Sequence, residues 1–166
     1  KHKKYLQYDE YDEKIKMKVQ MFIDFIKLVL CSNRDDVHDA LMKYFSILAN
    51  GRKTKATIVA KTMEQGVGKS TLTDFIINHV FGQDICLYSS TQPLTSDRNK
   101  ILIGKLFVVF EELPTFSTSE WNAACSMLKK LATEDMMTFR GLYENEIQLR
   151  HCINCWINTN VDAIKD

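Results

Sequence analysis

Neither sign of charge dominates this chain: 22 Lys and Arg stand against 21 Asp and Glu, for a net charge of +1. No global basic field argues for nucleic acid, so any such contact must come from local placement. No apolar run approaches the ~20 residues of a membrane-spanning helix, and no membrane partner is expected. No signal peptide is read at the start, so the five cysteines (31, 86, 125, 152 and 155) point to a reducing, intracellular compartment. Cys152 and Cys155 form a C-x-x-C, but no second pair completes a zinc site and the surrounding run is apolar. Core or strand cysteines are the better reading. Internal repeats and low-complexity segments are lacking too. Lys1 stands where a methionine would start a protein, and no capping or turn chemistry closes the chain at Asp166. It reads as an excerpt from a longer protein.

What is there is an ordinary globular composition, 45% hydrophobic and 26% charged, in 166 residues, enough for one domain with a real core. The chain is organised around Gly66-Val67-Gly68-Lys69-Ser70-Thr71. A β-branched run, Thr57 to Ala60, precedes it, and a helical pattern with Leu72, Phe75, Ile76, His79 and Val80 on one face follows. Strand, glycine turn and helix form a phosphate-binding context. Closely spaced glycines let backbone N–H groups converge on phosphate oxygens where a Cβ would obstruct the wrap, and the helix N-terminus adds partial positive charge. Lys69 would reach the β- and γ-phosphates, and the Ser70 hydroxyl would ligate Mg²⁺. The G-x-x-x-x-G-K-[ST] pattern has one departure, Met63 at its first glycine. That position shapes the turn, whereas the later ones meet the ligand. A chance Gly-Lys-Ser in a surface turn is the competing explanation.

Upstream, Lys1 to Lys14 reads as a charged, solvated lead-in. Ile15, Val19, Phe22, Ile23, Ile26, Val29 and Leu30 recur at helical spacing. Asn33 resembles the start of a second helix, with Asp36 three residues on and Val37, Leu41, Tyr44, Phe45 and Leu48 inward; Asn50-Gly51 ends it. The expected division is a helical segment over 1–50 and an ATPase core over 51–166. Downstream, Gly82 is a predicted helix cap, Ile85 to Tyr88 a strand, and Ser89 to Asp97 a polar loop containing Pro93. Leu106 to Phe110 is apolar throughout, as in a parallel strand buried on both faces, and it runs into Glu111-Glu112. Ser117 and Glu120 form a capping box for a helix bearing Trp121, Ala124, Leu128 and Leu131. Met136 to Phe139 and Glu146 to Leu149 read as a hairpin or a long strand-loop-strand either side of Gly141, and Cys152 to Ile157 as a last buried strand running into Asn158-Thr159-Asn160.

Carboxylates at the C-terminal end of a buried parallel strand lie where ligands bind in an open α/β sheet. Glu111 would hold the Mg²⁺ shell and Glu112 would orient and deprotonate the attacking water. A strand that merely exits into solvent through acidic residues is the bland alternative. A neutral amide at the end of the last strand can contact a γ-phosphate or the lytic water without adding charge, although Asn and Thr are also common in turns.

With these residues in hand, the chain resembles the superfamily 3 helicases, the hexameric ATPases of viral, phage and plasmid replication, and in particular the helicase half of poxvirus-type primase–helicases. Gly66 to Ser70 is similar to motif A, Leu106 to Glu112 to motif B, and Trp156 to Asn160 to motif C. Leu128 to Leu131, Glu134-Asp135 and Phe139 to Tyr143 are similar to the segment carrying the DNA-tracking hairpin. The resemblance implies an α/β P-loop NTPase (AAA+-like), a three-layer sandwich with a central, mostly parallel sheet, preceded by a small helical segment and carrying a β-hairpin before the last strand. It implies an ATP-dependent DNA helicase or translocase domain with ATP and Mg²⁺ as cofactors. Lys69, Glu112 and Asn160 would be catalytic, Asn160 sensing the γ-phosphate with Asn158 second. Gly66, Val67, Gly68, Lys69, Ser70 and Thr71 would bind nucleotide, and Ser70 and Glu111 the metal. Implied partners are single-stranded or forked DNA, with RNA open, a homo-oligomer, probable hexamer by family, and a primase module upstream; the implied location is the host cytoplasm or the site of replication. Lys129, Lys130 and Arg140, with Arg150 nearby, would contact the strand, and Tyr143 could stack on a base. An arginine finger from the neighbouring subunit typically follows motif C, so the isolated segment is expected to bind nucleotide better than it hydrolyses it. Two other classes compete: a P-loop kinase or nucleotide-dependent switch, for which an arginine-rich lid is lacking, and a degenerate NTPase kept as a scaffold, which only Met63 favours.

Overall fold

The computed structural model describes residues 7–62, 66–114 and 116–160. The chain forms two compact units that divide between Met42 and Lys43. In the first, a single turn at Tyr8–Glu10 precedes α1, Glu13–Phe25, which Asp12 caps by accepting from the Ile15 N–H at 2.8 Å. The helix widens into a π-helical stretch, Ile26–Leu30. Of the predicted inward stripe, Ile26 is buried whereas Ile15 and Val19 stay exposed. Asn33 is not the cap of the next helix. It lies in the left-handed region with φ 58°, and its N–H reaches back to the Lys27 carbonyl at 2.9 Å, so it closes the preceding helix. Helix α2 then runs Asp35–Ala49 and carries the chain across the division between units. It ends as predicted at Gly51, φ 66°, whose N–H donates to Leu48.

The second unit is a mixed α/β arrangement around four parallel strands. In chain order these are β1 Ile58–Lys61, β2 Cys86–Ser89, β3 Phe107–Glu111 and, after a separate pair, β6 Asn154–Thr159. The intervening pair, β4 Met136–Phe139 and β5 Ile147–Arg150, is the predicted hairpin, an antiparallel two-stranded sheet of its own. The four-stranded sheet has the order β1-β6-β3-β2. Residues 107 to 110 of β3 are fully buried, which explains why its sequence is apolar without alternation. Side chains of successive residues still divide between the faces. Val108 and Phe110 join Cys155 and Ile157 in a core shared with Ala124 and Leu131 of α5, Thr118–Thr133, and with Met137 and Phe139 of the hairpin. On the other face Phe107 meets Trp156, which also stacks on Phe45 and packs edge-on against Tyr44 from the second half of α2.

Two connections differ from expectation. Helix α3, Lys69–Phe75, continues into a π-helical stretch, Ile76–Phe81, and buries Leu72, Thr73, Ile76 and Ile77. Phe75 and Val80, predicted inward, are 39% and 53% exposed. Leu72, Thr73, Ile76 and Ile77 recur at ordinary helical spacing, so the buried face is turned toward Thr73 and Ile77 and away from Phe75, which precedes the π stretch. Val80 lies within that stretch, where the wider turn alters the angular spacing of side chains. The segment after β2 is not wholly polar loop: it contains one helical turn, α4, Gln92–Thr95, with Pro93 in its first turn and Leu94 buried in the core.

The capping box of α5 is present. The Ser117 N–H donates to Glu120 at 2.9 Å, and the Glu120 N–H donates to the Ser117 hydroxyl at 3.3 Å. Ser117→Ala is expected to cost about 1 kcal/mol, read as a lower urea midpoint at an unchanged slope.

Ahead of β1 and β6, Lys53 Nζ donates to the Glu134 carbonyl and lies 3.2 Å from His151 Nε2. Burial, with the nearby Lys53 charge, holds the His151 imidazole below its ordinary value. The unfolded chain therefore takes up a proton near pH 6.5 that the folded chain refuses, so stability is complete above that pH and falls as pH drops through it. A His151→Gln variant should show a flatter loss of stability as pH falls below about 6.5. An unchanged slope would assign that loss to other groups.

Candidate functional site at the strand ends

Strand order determines what meets here. Because β6 lies between β1 and β3, its last residues sit between the glycine turn that follows β1 and the acids that end β3; Asn158 is in register with Ala60 on one side and Glu111 on the other. A cleft of about 280 Å³ opens at this end, lined by residues 66–71, Glu111, Glu112 and residues 158–160. All the proposed nucleotide, metal and catalytic positions thus line one cavity. Met63 lies outside the described residues, as does whatever its substitution does to the turn.

Gly66 and Gly68 both have left-handed backbones, φ 77° and 97°, and Gly68 caps α3 with its carbonyl accepting from the Leu72 N–H at 3.1 Å. A Cβ at Gly66 would meet nothing within 4 Å. Within the protein itself, the left-handed backbone is what requires glycine there. Lys69 opens α3 and is only 8% exposed. Its ammonium donates to Asn160 Oδ1 at 2.6 Å and to Thr62 Oγ1. Ser70 and Thr71 occupy the exposed first turn beside it.

The two acids differ in setting. Glu111 is half-buried and accepts from Asn158 Nδ2 at 2.8 Å. Glu112 is exposed, and its backbone is left-handed at φ 51°, with its N–H still donating to the Asn158 carbonyl at 2.9 Å. A glutamate held there stores strain of about 1–3 kcal/mol, a cost that clusters at functional sites. Asn158 is buried, with its Oδ1 accepting from the Trp156 indole at 2.7 Å and its Nδ2 3.4 Å from Thr73 Oγ1. Tyr88 donates to Asp74 at 2.7 Å and lies 2.9 Å from Thr73 Oγ1; burial pushes its hydroxyl upward. The two amides therefore occupy different environments: Asn160 faces the lysine and Asn158 faces the carboxylate. Sequence reasoning missed Trp156, Thr73 and Thr62. The first was discoverable, since residues two apart on a strand share a face.

The cations expected to contact a nucleic-acid strand do not line this cleft. Lys129 and Lys130 are exposed on α5. Arg140, just beyond β4, pairs with Asp97 at 2.8 Å and lies 3.9 Å from Glu146. Asn99 fastens the hairpin to the β2–β3 connection, donating to the Thr138 carbonyl and accepting from the Arg140 N–H. At the hairpin turn Tyr143 is 97% exposed, so it does not pack as hairpin tyrosines commonly do. Arg150, at the end of β5, is exposed as well. No cluster of three or more His, Cys, Asp or Glu residues able to hold a metal is found among the described residues, Cys152 and Cys155 included. Nor is any described helix long and apolar enough to cross a membrane.

Fold and cleft define a mixed α/β protein with a parallel four-stranded sheet and a polar cleft at its C-terminal strand ends. Residues 61–166 match the model of DUF5906, a family of unknown function, and the chain belongs to that family. No curated protein matches it. Among solved structures it is similar to the apo structure of the NrS-1 C-terminal region, with TM-score 0.71 and 19% identity over 83% of this chain and 33% of that one. An A-form apo structure of the same region gives 0.66 and 18%, over 82% and 32%. At such identities the likeness is one of fold. The chain spans about a third of the region it matches.

Proposed function

We propose that this chain is the ATP-hydrolysing part of a nucleic-acid helicase or translocase of a replication protein, a P-loop NTPase working at the subunit interfaces of a ring. The observation that carries this reading is the single cleft gathering Lys69, Glu111, Glu112 and Asn160 from three separate elements at adjacent strand ends. The strand order supports it too, since it sets an amide-bearing strand between the glycine turn and the acids. Lys69 would exchange Asn160 and Thr62 for phosphate oxygens. The Ser70 hydroxyl and the Glu111 carboxylate are oxygen donors suited to Mg²⁺, which needs few protein ligands when phosphates supply the others. Such an ion would neutralise charge on the phosphates. Glu112 would take the proton of the attacking water, and Asn160, freed from Lys69, would contact the γ-phosphate.

The strand would contact the hairpin region, with Lys129, Lys130 and Arg140 meeting phosphates and Tyr143 available for stacking. Arg140 would then have to leave Asp97. The deciding experiment is ATP turnover by the full-length protein with and without single-stranded DNA. Stimulation that is lost in Glu112→Gln is the expected result. Turnover indifferent to nucleic acid would favour a kinase or nucleotide switch, and tight binding without turnover a scaffold.

A further inference from the structure

The line running from the aromatic core to the cleft has a fixed direction. Trp156 is 1% exposed and its indole N–H can only donate. Glu111, at the other end, is a carboxylate and, when ionised, can only accept. The Asn158 side chain between them is 2% exposed, with 2.7 Å on the indole side and 2.8 Å on the carboxylate side. A donor-only group and an acceptor-only group leave one orientation of the amide, oxygen toward Trp156 and nitrogen toward Glu111. Aspartate at 158 would lack the donor, and leucine would lack both groups.

We propose that Trp156 is a positioning residue for Glu111, acting through the Asn158 amide so that the placement of the site's half-buried carboxylate is set from inside the sheet. The assignment of Glu111 as a metal-binding group rests on the function proposed above; the indole–amide–carboxylate relay does not. The indole is itself immobilised. It stacks on Phe45 with ring centres 5.9 Å apart and meets Phe107 at 6.4 Å and Tyr44 at 6.5 Å. Tyr44 is also anchored to the same strand, its hydroxyl donating to the Cys155 carbonyl at 3.2 Å. Rotation of the amide about its last bond would strand its oxygen against a carboxylate oxygen, and the N–H of a fixed indole opposes that rotation. The carboxylate thereby keeps one position while its other oxygen is left for a ligand.

Two readouts test this. The chain has two tryptophans, Trp121 and Trp156, so indole-¹⁵N NMR gives two signals that Trp121→Phe assigns. Asn158→Leu should displace the Trp156 indole signal, and so should Glu111→Gln, although Glu111 is not the partner of the ring. An indole signal unmoved by Glu111→Gln overturns the relay, whether or not the protein binds nucleotide. Trp156→Phe keeps the aromatic packing and removes the N–H. It should raise the Mg²⁺ concentration that half-saturates ADP binding by about five- to tenfold, while affinity in EDTA stays within about twofold. In a Glu111→Gln background the same change should leave the Mg²⁺ dependence where it is. Equal losses with and without Mg²⁺, or an equal effect in both backgrounds, would reduce Trp156 to a packing residue and overturn the proposal. Wild-type protein that binds no ADP would refute the nucleotide reading instead, and the indole signal would then decide the relay.

Discussion

Lys69→Ala should abolish nucleotide binding. The ammonium is a cation buried beside the glycine turn, and it is held by two neutral oxygens, from Thr62 and Asn160. Exchanging these for phosphate oxygens converts neutral acceptors into charged ones, and each charge-assisted bond is worth about 1.5–3 kcal/mol. Losing two of them, about 3–6 kcal/mol, weakens binding by about 10²- to 10⁴-fold, beyond the range of an ordinary titration. Folding should survive, because Lys69 sits at the rim of the sheet and the apolar face of α3, Leu72, Ile76 and Ile77, is untouched. Isothermal titration with ADP and ATP makes the comparison. Equal binding by Lys69→Ala and wild type would remove the phosphate-loop assignment and with it the proposed function.

Glu112→Gln has the opposite signature: nucleotide affinity is kept and turnover falls by about 10²- to 10⁴-fold, the range for losing a general base. Loss of binding in this variant would argue against that role. Backbone geometry supplies a second test that a surface acid in an ordinary turn would not pass. With φ 51° at this glutamate, Glu112→Gly should raise stability by up to about 1 kcal/mol, or about 2–4 °C in Tm, while being as inactive as the glutamine variant. A gain in stability together with a loss of turnover is what a strained catalytic position produces. A glycine variant that is both less stable and fully active would contradict both parts.

Residues close in sequence were readable where the physics is local. The apolar run at Phe107 to Phe110 carries its own burial, the Ser117–Glu120 box its own helix start, and Gly51 and Gly82 their helix ends. Three adjacent signals, glycine turn, paired acids and polar strand end, were enough to name the residues that line the cleft. Their roles could not be divided from sequence. Asn158 and Asn160 look alike in a row of letters, but Asn158 is the next-to-last residue of β6, held against Glu111, whereas Asn160 lies just past the strand end and reaches Lys69. The buried face of α3 is hard to read because a polar residue, Thr73, belongs to it and the aromatic Phe75 does not; the π geometry that follows from Ile76 is invisible in a 3.6-residue count as well. Asn33 was misread because the same residue type serves a helix start and a left-handed helix end. The burial of Leu94 within a polar segment depends on a core assembled from distant residues, which no window around Pro93 contains.

The order of the four strands also bears on how the chain acquires its structure during synthesis. β2 and β3 are near neighbours in sequence and can pair early, but among the described residues β1 pairs only with β6, about a hundred positions later, Ile58 meeting Trp156. Until the ribosome has released that last strand, β1 has no sheet to join and the glycine turn hangs from an unpaired edge. Long-range parallel pairing of this kind is slow and leaves edges exposed to aggregation while it waits. Closure by β6 then brings its amides into place in the same step that joins the two halves of the sheet. A nascent chain cannot hold a finished cleft before it holds a finished sheet.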